Sequence, residues 1–229
     1  MYFSKTTATG KAAHSEGISS IAKGVASHTE GYQTLSYGKQ SHAEGYRAFA
    51  TGDYSHAEGR NTKAIGADSH AEGNGTEAIG HQSHAEGEGT KATKDRAHAE
   101  GNHTEATGYN SHAEGYYTKA TKDNSHASGY YTETGRESQF VIGKYNAVSS
   151  SDIFVIGGGD STTTRKNIFT VAANSGNTVI SGTTTSNGLL TAKNGISITN
   201  GAIILNSDMY GAGDPPTSAV TGQLYFKII

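Results

Sequence analysis

The chain lacks most of the residues from which compact domains build their cores. Its 229 residues include no cysteine, no tryptophan, two prolines and five leucines. The absence of cysteine excludes disulfides and thiol chemistry. Hydrophobic residues make up only 33% of the chain, while 31 residues are glycine, roughly double the average share. Because this composition cannot fill an ordinary core, we expect stability to come from backbone ladders, stacked small residues and burial between chains.

The charge and hydropathy patterns exclude further classes of protein. The net charge of -3 and the lack of a basic run argue against nucleic-acid binding. No apolar run approaches the roughly 18 residues that span a membrane, so we expect no membrane insertion. The start, Met1 to Lys5, has no basic segment followed by an apolar one, and therefore does not read as a secretory signal. If the sequence is complete, we expect a protein that is assembled inside a cell rather than one that secretes itself.

One pattern, written nine times, organises the chain. Each unit reads Ser-His-Ala-Glu-Gly, two variable residues, Thr-x-Ala-x-Gly and two more variable residues. A short fixed period predicts a solenoid, in which each repeat stacks on identical neighbours. The histidines stand 14 residues apart without a slip: His14, His28, His42, His56, His70, His84, His98, His112 and His126.

Each unit has room for two short extended segments that end at glycine corners. Alternate residues of a strand face opposite ways, so Ala71 should point inward while His70 and Glu72 point outward. In the second half of the same turn, Ala78 should lie inside and Glu77 outside. A helix is excluded, because glycine recurs every seven residues and no 3.6-residue apolar stripe exists. The predicted fold class is therefore all-β, a solenoid of 14-residue coils.

The register continues after the histidines end, with Phe140 and Phe154 one and two periods beyond His126. A column that accepts phenylalanine and isoleucine is not expected to face water throughout. We therefore predict that this face packs against the same face of other copies of the chain. The predicted interface comprises the nine histidines together with Glu72, Glu86, Phe140, Ile142, Phe154 and Ile156.

The outward position of the second half of each turn carries a different pattern. Lysine and glutamate alternate there over six turns, which favours correct register on a solvated face. The residues are Lys63, Glu77, Lys91, Glu105, Lys119 and Glu133. In the three preceding turns the position is apolar, with Ile21, Leu35 and Phe49. That stripe predicts either contact with other tail or fibre proteins or tighter packing between copies, and both readings stay open.

The Ser-x-Ala-x-Gly and Thr-x-Ala-x-Gly units resemble the head repeats of trimeric autotransporter adhesins, the YadA-like heads. In those heads the comparable strand is Ser-Val-Ala-Ile-Gly, which the segments from Phe140 and from Phe154 approach more closely. The resemblance covers residues 6 to 157 and implies a left-handed parallel β-roll that assembles as a homotrimer. The chain departs from the family by carrying histidine and glutamate where the adhesins carry apolar residues.

The 14-residue period ends after Gly157, and we predict four parts in the chain. Residues 1–157 are expected to form a head that resembles the YadA-like heads, and residues 158–182 a transition in which Asn174 to Asn177 predicts a β-hairpin. Short alternating strands between Asn-Gly turns predict an intertwined, trimeric β shaft over 183–210, followed by a C-terminal tip strand over 211–229. The repeats together with the Gln-Leu-Tyr-Phe-Lys ending resemble tail-fibre and appendage proteins of phages and prophages.

Repeated histidines invite a metal or catalytic interpretation. A straight column of histidines, about 4.8 Å apart, does not converge on one ion as zinc requires. An active site is usually singular, whereas the His-x-Glu pair recurs along the column. We therefore expect a structural hydrogen-bonded ladder, with no catalytic residue, no cofactor and no metal site. Tyrosines follow the glycine corners and are candidates for surface contact: Tyr32, Tyr46, Tyr116, Tyr117, Tyr130 and Tyr131.

These observations predict a non-enzymatic structural protein of a phage tail or related injection apparatus, with a role in host attachment. It would reside in the virion or an extracellular appendage and contact a host-surface receptor, with a glycan as one class. The alternative is a fragment of a bacterial trimeric adhesin on the cell surface, which a secretion signal upstream in the gene would reveal. A fibre-borne polysaccharide depolymerase ranks third, because no singular carboxylate pair stands out.

Overall fold

The computed structural model describes residues 5–182, and within that range the chain is entirely β, with no helix. Two parallel-stranded sheets run side by side along the repeats. The narrow sheet contains β1 (Thr7–Ala8), β3 (Ile21–Ala22), β5 (Leu35–Ser36), β7 (Phe49–Ala50), β9 (Lys63–Ala64), β11 (Glu77–Ala78), β13 (Lys91–Ala92), β15 (Glu105–Ala106) and β17 (Lys119–Ala120).

The second sheet, here the histidine sheet, has thirteen strands. Its members are β2 (His14–Ser15), β4 (His28–Tyr32), β6 (His42–Tyr46), β8 (His56–Arg60), β10 (His70–Asn74), β12 (His84–Glu88), β14 (His98–Asn102), β16 (His112–Tyr116), β18 (His126–Tyr130), β19 (Phe140–Lys144), β20 (Asp152–Gly158), β21 (Asn167–Ala172) and β22 (Thr178–Ile180).

Every repeat pairs with the next in the register that the 14-residue period predicts. His70 lies opposite His84 in the histidine sheet, and Glu77 lies opposite Lys91 in the narrow sheet. The chain alternates between the two sheets and forms a parallel β-solenoid of about 11 turns. The predicted fold class is confirmed in this respect, while the predicted shaft over 183–210 and the tip over 211–229 lie outside the described residues.

The interior is a thin layer of small side chains between the two sheets. Alanines such as Ala71 and Ala78 have 0% exposure, and Val141 and Val155 take over the inward position after the last histidine. Serines close the corners from inside, as where the Ser69 hydroxyl donates to the Gly66 carbonyl at 2.6 Å. The small face is therefore inside, as strand alternation predicts.

The narrow sheet has shorter strands than the sequence suggests. The Thr-x-Ala-x-Gly half predicts about five extended residues, but only two of them, as in β9, pair as a strand. The amides of Ile65 and Gly66 both point to the carbonyl oxygen of Ala78, at 2.8 and 3.4 Å. One carbonyl thus accepts from two successive amides, because the chain already bends away from the sheet at this position.

The solenoid ends in antiparallel pairing. β20 pairs in parallel with β19, and then β21 pairs antiparallel with β20, and β22 antiparallel with β21. The β21–β22 pair lies where the sequence predicts a hairpin. Arg165 ties the segment before β21 to the last turns, since its guanidinium donates to the carbonyl oxygens of Tyr131 and Asn146.

A candidate assembly face of stacked histidines and carboxylates

The outward surface of the histidine sheet forms the candidate site, and we call it the histidine–glutamate face. It consists of His14 and Glu16 together with the first and third residues of the even-numbered strands β4 to β18. Parallel in-register pairing stacks the histidine rings along the solenoid, with neighbouring ring centroids 4.6–5.1 Å apart. The strand spacing of about 4.8 Å sets this distance directly.

Histidine and glutamate of one turn lie side by side without forming a hydrogen bond. The distance from Nε2 to the nearest carboxylate oxygen is 3.9 Å in the His70–Glu72 pair and 3.4 Å in the His98–Glu100 pair. From His42 to His126 the histidine side chains keep 29–38% of their surface exposed. Eight of the histidines nevertheless have a buried Nε2 atom without a hydrogen-bond partner. These are His28, His42, His56, His70, His84, His98, His112 and His126.

The predicted hydrogen-bonded His–Glu ladder is therefore not formed within the turns of one chain. A buried imidazole nitrogen without a partner is costly, by about 1–3 kcal/mol. A missing hydrogen bond of this kind recurs from turn to turn. The glutamate side chains beside these nitrogens, from Glu44 to Glu114, are 36–52% exposed.

Electrostatics favour neutral imidazoles in this column. Burial lowers the pKa of His56, and the neighbouring His42 and His70 lower it further, against an opposing effect of Glu58 and Glu44. The pKa of His112 is lowered by burial and by its two flanking histidines in the same way. Stacked rings 4.6–5.1 Å apart would repel one another if charged, so His56 and His112 are held toward the neutral form.

The face becomes apolar at its C-terminal end without a change of register. His126 lies opposite Phe140, and Phe140 lies opposite Phe154 at a centroid distance of 5.6 Å. Phe140 is 39% exposed, while Phe154 and the adjacent Ile142 and Ile156 are half-buried. The predicted alignment of histidine and phenylalanine in one column is confirmed. That this surface contacts other copies remains a prediction, since the structure contains one chain.

The narrow sheet carries the predicted charge ladder. The Lys63 ammonium lies 2.8 Å from a carboxylate oxygen of Glu77, and Lys91 lies 4.0 Å from the other oxygen of the same carboxylate. One glutamate thus bridges two turns. The predicted apolar stripe of Ile21, Leu35 and Phe49 pairs in register along the same sheet, and all three side chains are half-buried.

The tyrosines that the sequence offers as candidates for surface contact stack in pairs at the corners that follow the histidine-sheet strands. Tyr32 stacks on Tyr46, Tyr116 on Tyr130 and Tyr117 on Tyr131, with centroids 4.9–5.2 Å apart. Tyr32, Tyr46, Tyr116 and Tyr130 are exposed, whereas Tyr117 and Tyr131 are half-buried.

Sequence reasoning missed two members of this aromatic corner. His103 stacks on Tyr117 at 4.7 Å, and Tyr145 stacks on Tyr131 at 5.1 Å. The 14-residue period would have found both, because they stand one period before Tyr117 and one after Tyr131. Neighbouring rings cover each other's faces, so the corner presents mainly ring edges and hydroxyls.

Two turns of the face bring possible metal ligands together. The ligand atoms of His14, Glu16 and His28 lie within 4.8 Å of one another, and so do those of His98, Glu100 and His112. Elsewhere the His–Glu pair recurs from turn to turn, and no single pair in residues 5–182 is set apart as an acid–base site.

Residues 5–182 contain no helix that could span a membrane. In comparisons with known proteins, no protein-family model matches the chain, and no curated protein matches its sequence.

Proposed function

We propose that the chain is a non-enzymatic structural segment of a fibre or appendage, in a phage tail or related injection apparatus, that serves host attachment. The observation that carries this proposal is the histidine–glutamate face. It runs along nine turns, eight of which carry an unpartnered Nε2 atom, and continues into partly exposed Phe140 and half-buried Phe154. A surface of this length is suited to assembly rather than to a reaction at one point.

Assembly through this face would satisfy two needs at once. Contact with another copy would cover the phenylalanine and isoleucine side chains, and it would place donors and acceptors beside the orphaned imidazole nitrogens. The interior consists of alanine, serine and threonine and buries little apolar area per residue. We therefore expect a single chain to be only marginally stable by itself. We propose a homotrimer, and the number three rests on the resemblance to YadA-like heads.

A stack of about 11 turns suits a spacer. At about 4.8 Å per turn, it extends roughly 50 Å. In this proposal the aromatic corner of Tyr116 and Tyr130 contacts a receptor on the host surface, and the stripe from Ile21 to Phe49 contacts other tail or fibre proteins.

Mass measurement of the full chain tests the assembly. Mass photometry or sedimentation at micromolar concentration should give a species of three chains, each of 23.8 kDa. Replacing Phe140 and Phe154 by serine should shift the population toward single chains, while the matched replacement of exposed Tyr32 by serine should not. A folded single chain for the unaltered protein would overturn the proposed assembly.

Localisation tests the biological role. Immunogold electron microscopy of particles induced from the strain that encodes the chain should label the phage tail or a related contractile apparatus. Label confined to the cell envelope would instead support the alternative, a bacterial surface adhesin with the same repeats. Labelled protein should also bind host cells, and replacement of Tyr116 and Tyr130 by serine should reduce that binding without changing the mass of the assembly.

A further inference from the structure

The turns of the histidine–glutamate face share one spacing of histidine and glutamate but differ in geometry. The distance from Nε2 to the carboxylate is 3.9 Å at His42, His56, His70 and His112, 3.5 Å in the His84–Glu86 pair, and 3.4 Å in the His14–Glu16 and His98–Glu100 pairs. His112, one turn further on, brings its own ring nitrogen into the same cluster, with all three ligand atoms within 4.8 Å of one another. The column is therefore not the uniform ladder for which the sequence predicts no metal site.

One of the three separations already fits a divalent transition metal. Metal–ligand distances of about 2.0–2.2 Å in a tetrahedral site place neighbouring ligand atoms roughly 3.3–3.6 Å apart. The His98–Glu100 pair already has that separation at 3.4 Å. The rings of His98 and His112 stack at 4.6 Å with an angle of 4° between their planes, so binding one ion requires both rings to rotate about their side-chain bonds until their nitrogens converge.

The donor set and its surroundings favour the same class of ion. Two imidazole nitrogens and one carboxylate suit zinc and its neighbours in the first transition row, rather than calcium or magnesium, which prefer oxygen ligands. The Nε2 atoms of His98 and His112 are buried without a hydrogen-bond partner. A bound cation would pair both nitrogens and neutralise part of the Glu100 charge.

We propose that His98, Glu100 and His112 form a binding site for a divalent transition-metal ion of the zinc type. Each residue contributes one ligand atom, and the fourth position is left for a ligand from outside the chain. The cluster of His14, Glu16 and His28 has the same donors, but its His14 and Glu16 side chains are 64% and 56% exposed. Ligands that stay exposed are less well held, so the proposal commits to the His98 cluster. It does not depend on the proposed function, because all three ligands belong to one chain.

The test counts metal ions in the full-length protein. The chain is produced in medium supplemented with Co2+, dialysed to remove loosely held ions, and analysed by mass spectrometry of the metal and by visible absorption. The unaltered chain should retain at least one Co2+ per chain and show the intense absorption of tetrahedral cobalt. Glu100→Gln should lose about one ion per chain and that absorption, whereas the matched control Glu72→Gln, from a turn with a 3.9 Å separation, should retain both.

Several results would overturn the proposal. Retention of less than one tenth of an ion per chain would do so, and so would equal losses in the two glutamine variants, which would indicate ions shared loosely along the column. If Glu100→Gln does not fold, His112→Asn is the second variant. The melting temperature of the unaltered chain, with and without a chelator, is an independent measurement and should fall when the metal is removed. Mass photometry on the same samples separates failure of this site from failure of the assembly.

Discussion

Gly73 offers the sharpest test of how the turns stack. It lies at the corner where β10 ends, with φ at +109°, and an added Cβ would lie 2.1 Å from the carbonyl oxygen of Gly87 in the next turn. Gly75, two residues later, has φ at +69° with no atom within 4 Å of an added Cβ. We therefore expect asparagine to be tolerated at Gly75 and to be strongly destabilising at Gly73.

The magnitude follows from the two geometries. Asparagine accepts the left-handed region, and Asn61 holds φ at 55° at the equivalent position of the preceding turn, so Gly75→Asn should cost less than about 1 kcal/mol. At Gly73 the backbone lies outside that region, which costs about 1–3 kcal/mol. Overpacking against a strand carbonyl that is fixed in the ladder adds about 1–3 kcal/mol. The total for Gly73→Asn is then about 2–6 kcal/mol.

Thermal unfolding followed by circular dichroism measures the difference. For a chain of this size, 1 kcal/mol corresponds to a shift of about 2–4 °C. Gly73→Asn should melt at least about 4 °C below the unaltered chain, and Gly75→Asn within about 3 °C of it. Because both variants receive the same side chain, helix, strand and solvation preferences largely cancel. Equal melting temperatures would refute the close stacking of the corners.

Three other outcomes are expected. Replacing His70 by Phe together with Glu72 by Ile should be neutral or stabilising, while Glu72→Ala alone should cost about 1–3 kcal/mol in melts; a silent Glu72→Ala would contradict burial of the face between copies. Because burial and neighbouring histidines lower the pKa of His56, the folded chain binds fewer protons than the unfolded one, so urea titrations should show stability falling as pH drops below about 6.5; constant stability would contradict this. Glu77→Lys removes a carboxylate that faces two lysines, and its destabilisation, about 0.5–1 kcal/mol, should shrink in high salt rather than persist.

The sequence by itself determined the architecture of the repeats. A period of 14 residues allows only one in-register stacking, and strand alternation then decides which side chains lie inside. The spacing and the strand alternation place Ala71 inside and His70 outside, and they pair Phe140 with His126. The structure confirms each of these placements. These features were predictable because they depend on spacing along the chain and on the two-residue alternation of a strand.

Distances between turns were decided only by the tertiary structure. Gly73 and Gly75 look alike as corner residues, yet a carbonyl oxygen of the next turn approaches only the first. His70 and His98 are both followed by Ala-Glu-Gly, but their distances to glutamate are 3.9 and 3.4 Å. The narrow sheet likewise has two-residue strands because its chain bends away early, where one carbonyl accepts two amides. Each of these depends on where backbone and side-chain atoms of successive coils meet in space, and residue types at a fixed period do not specify that.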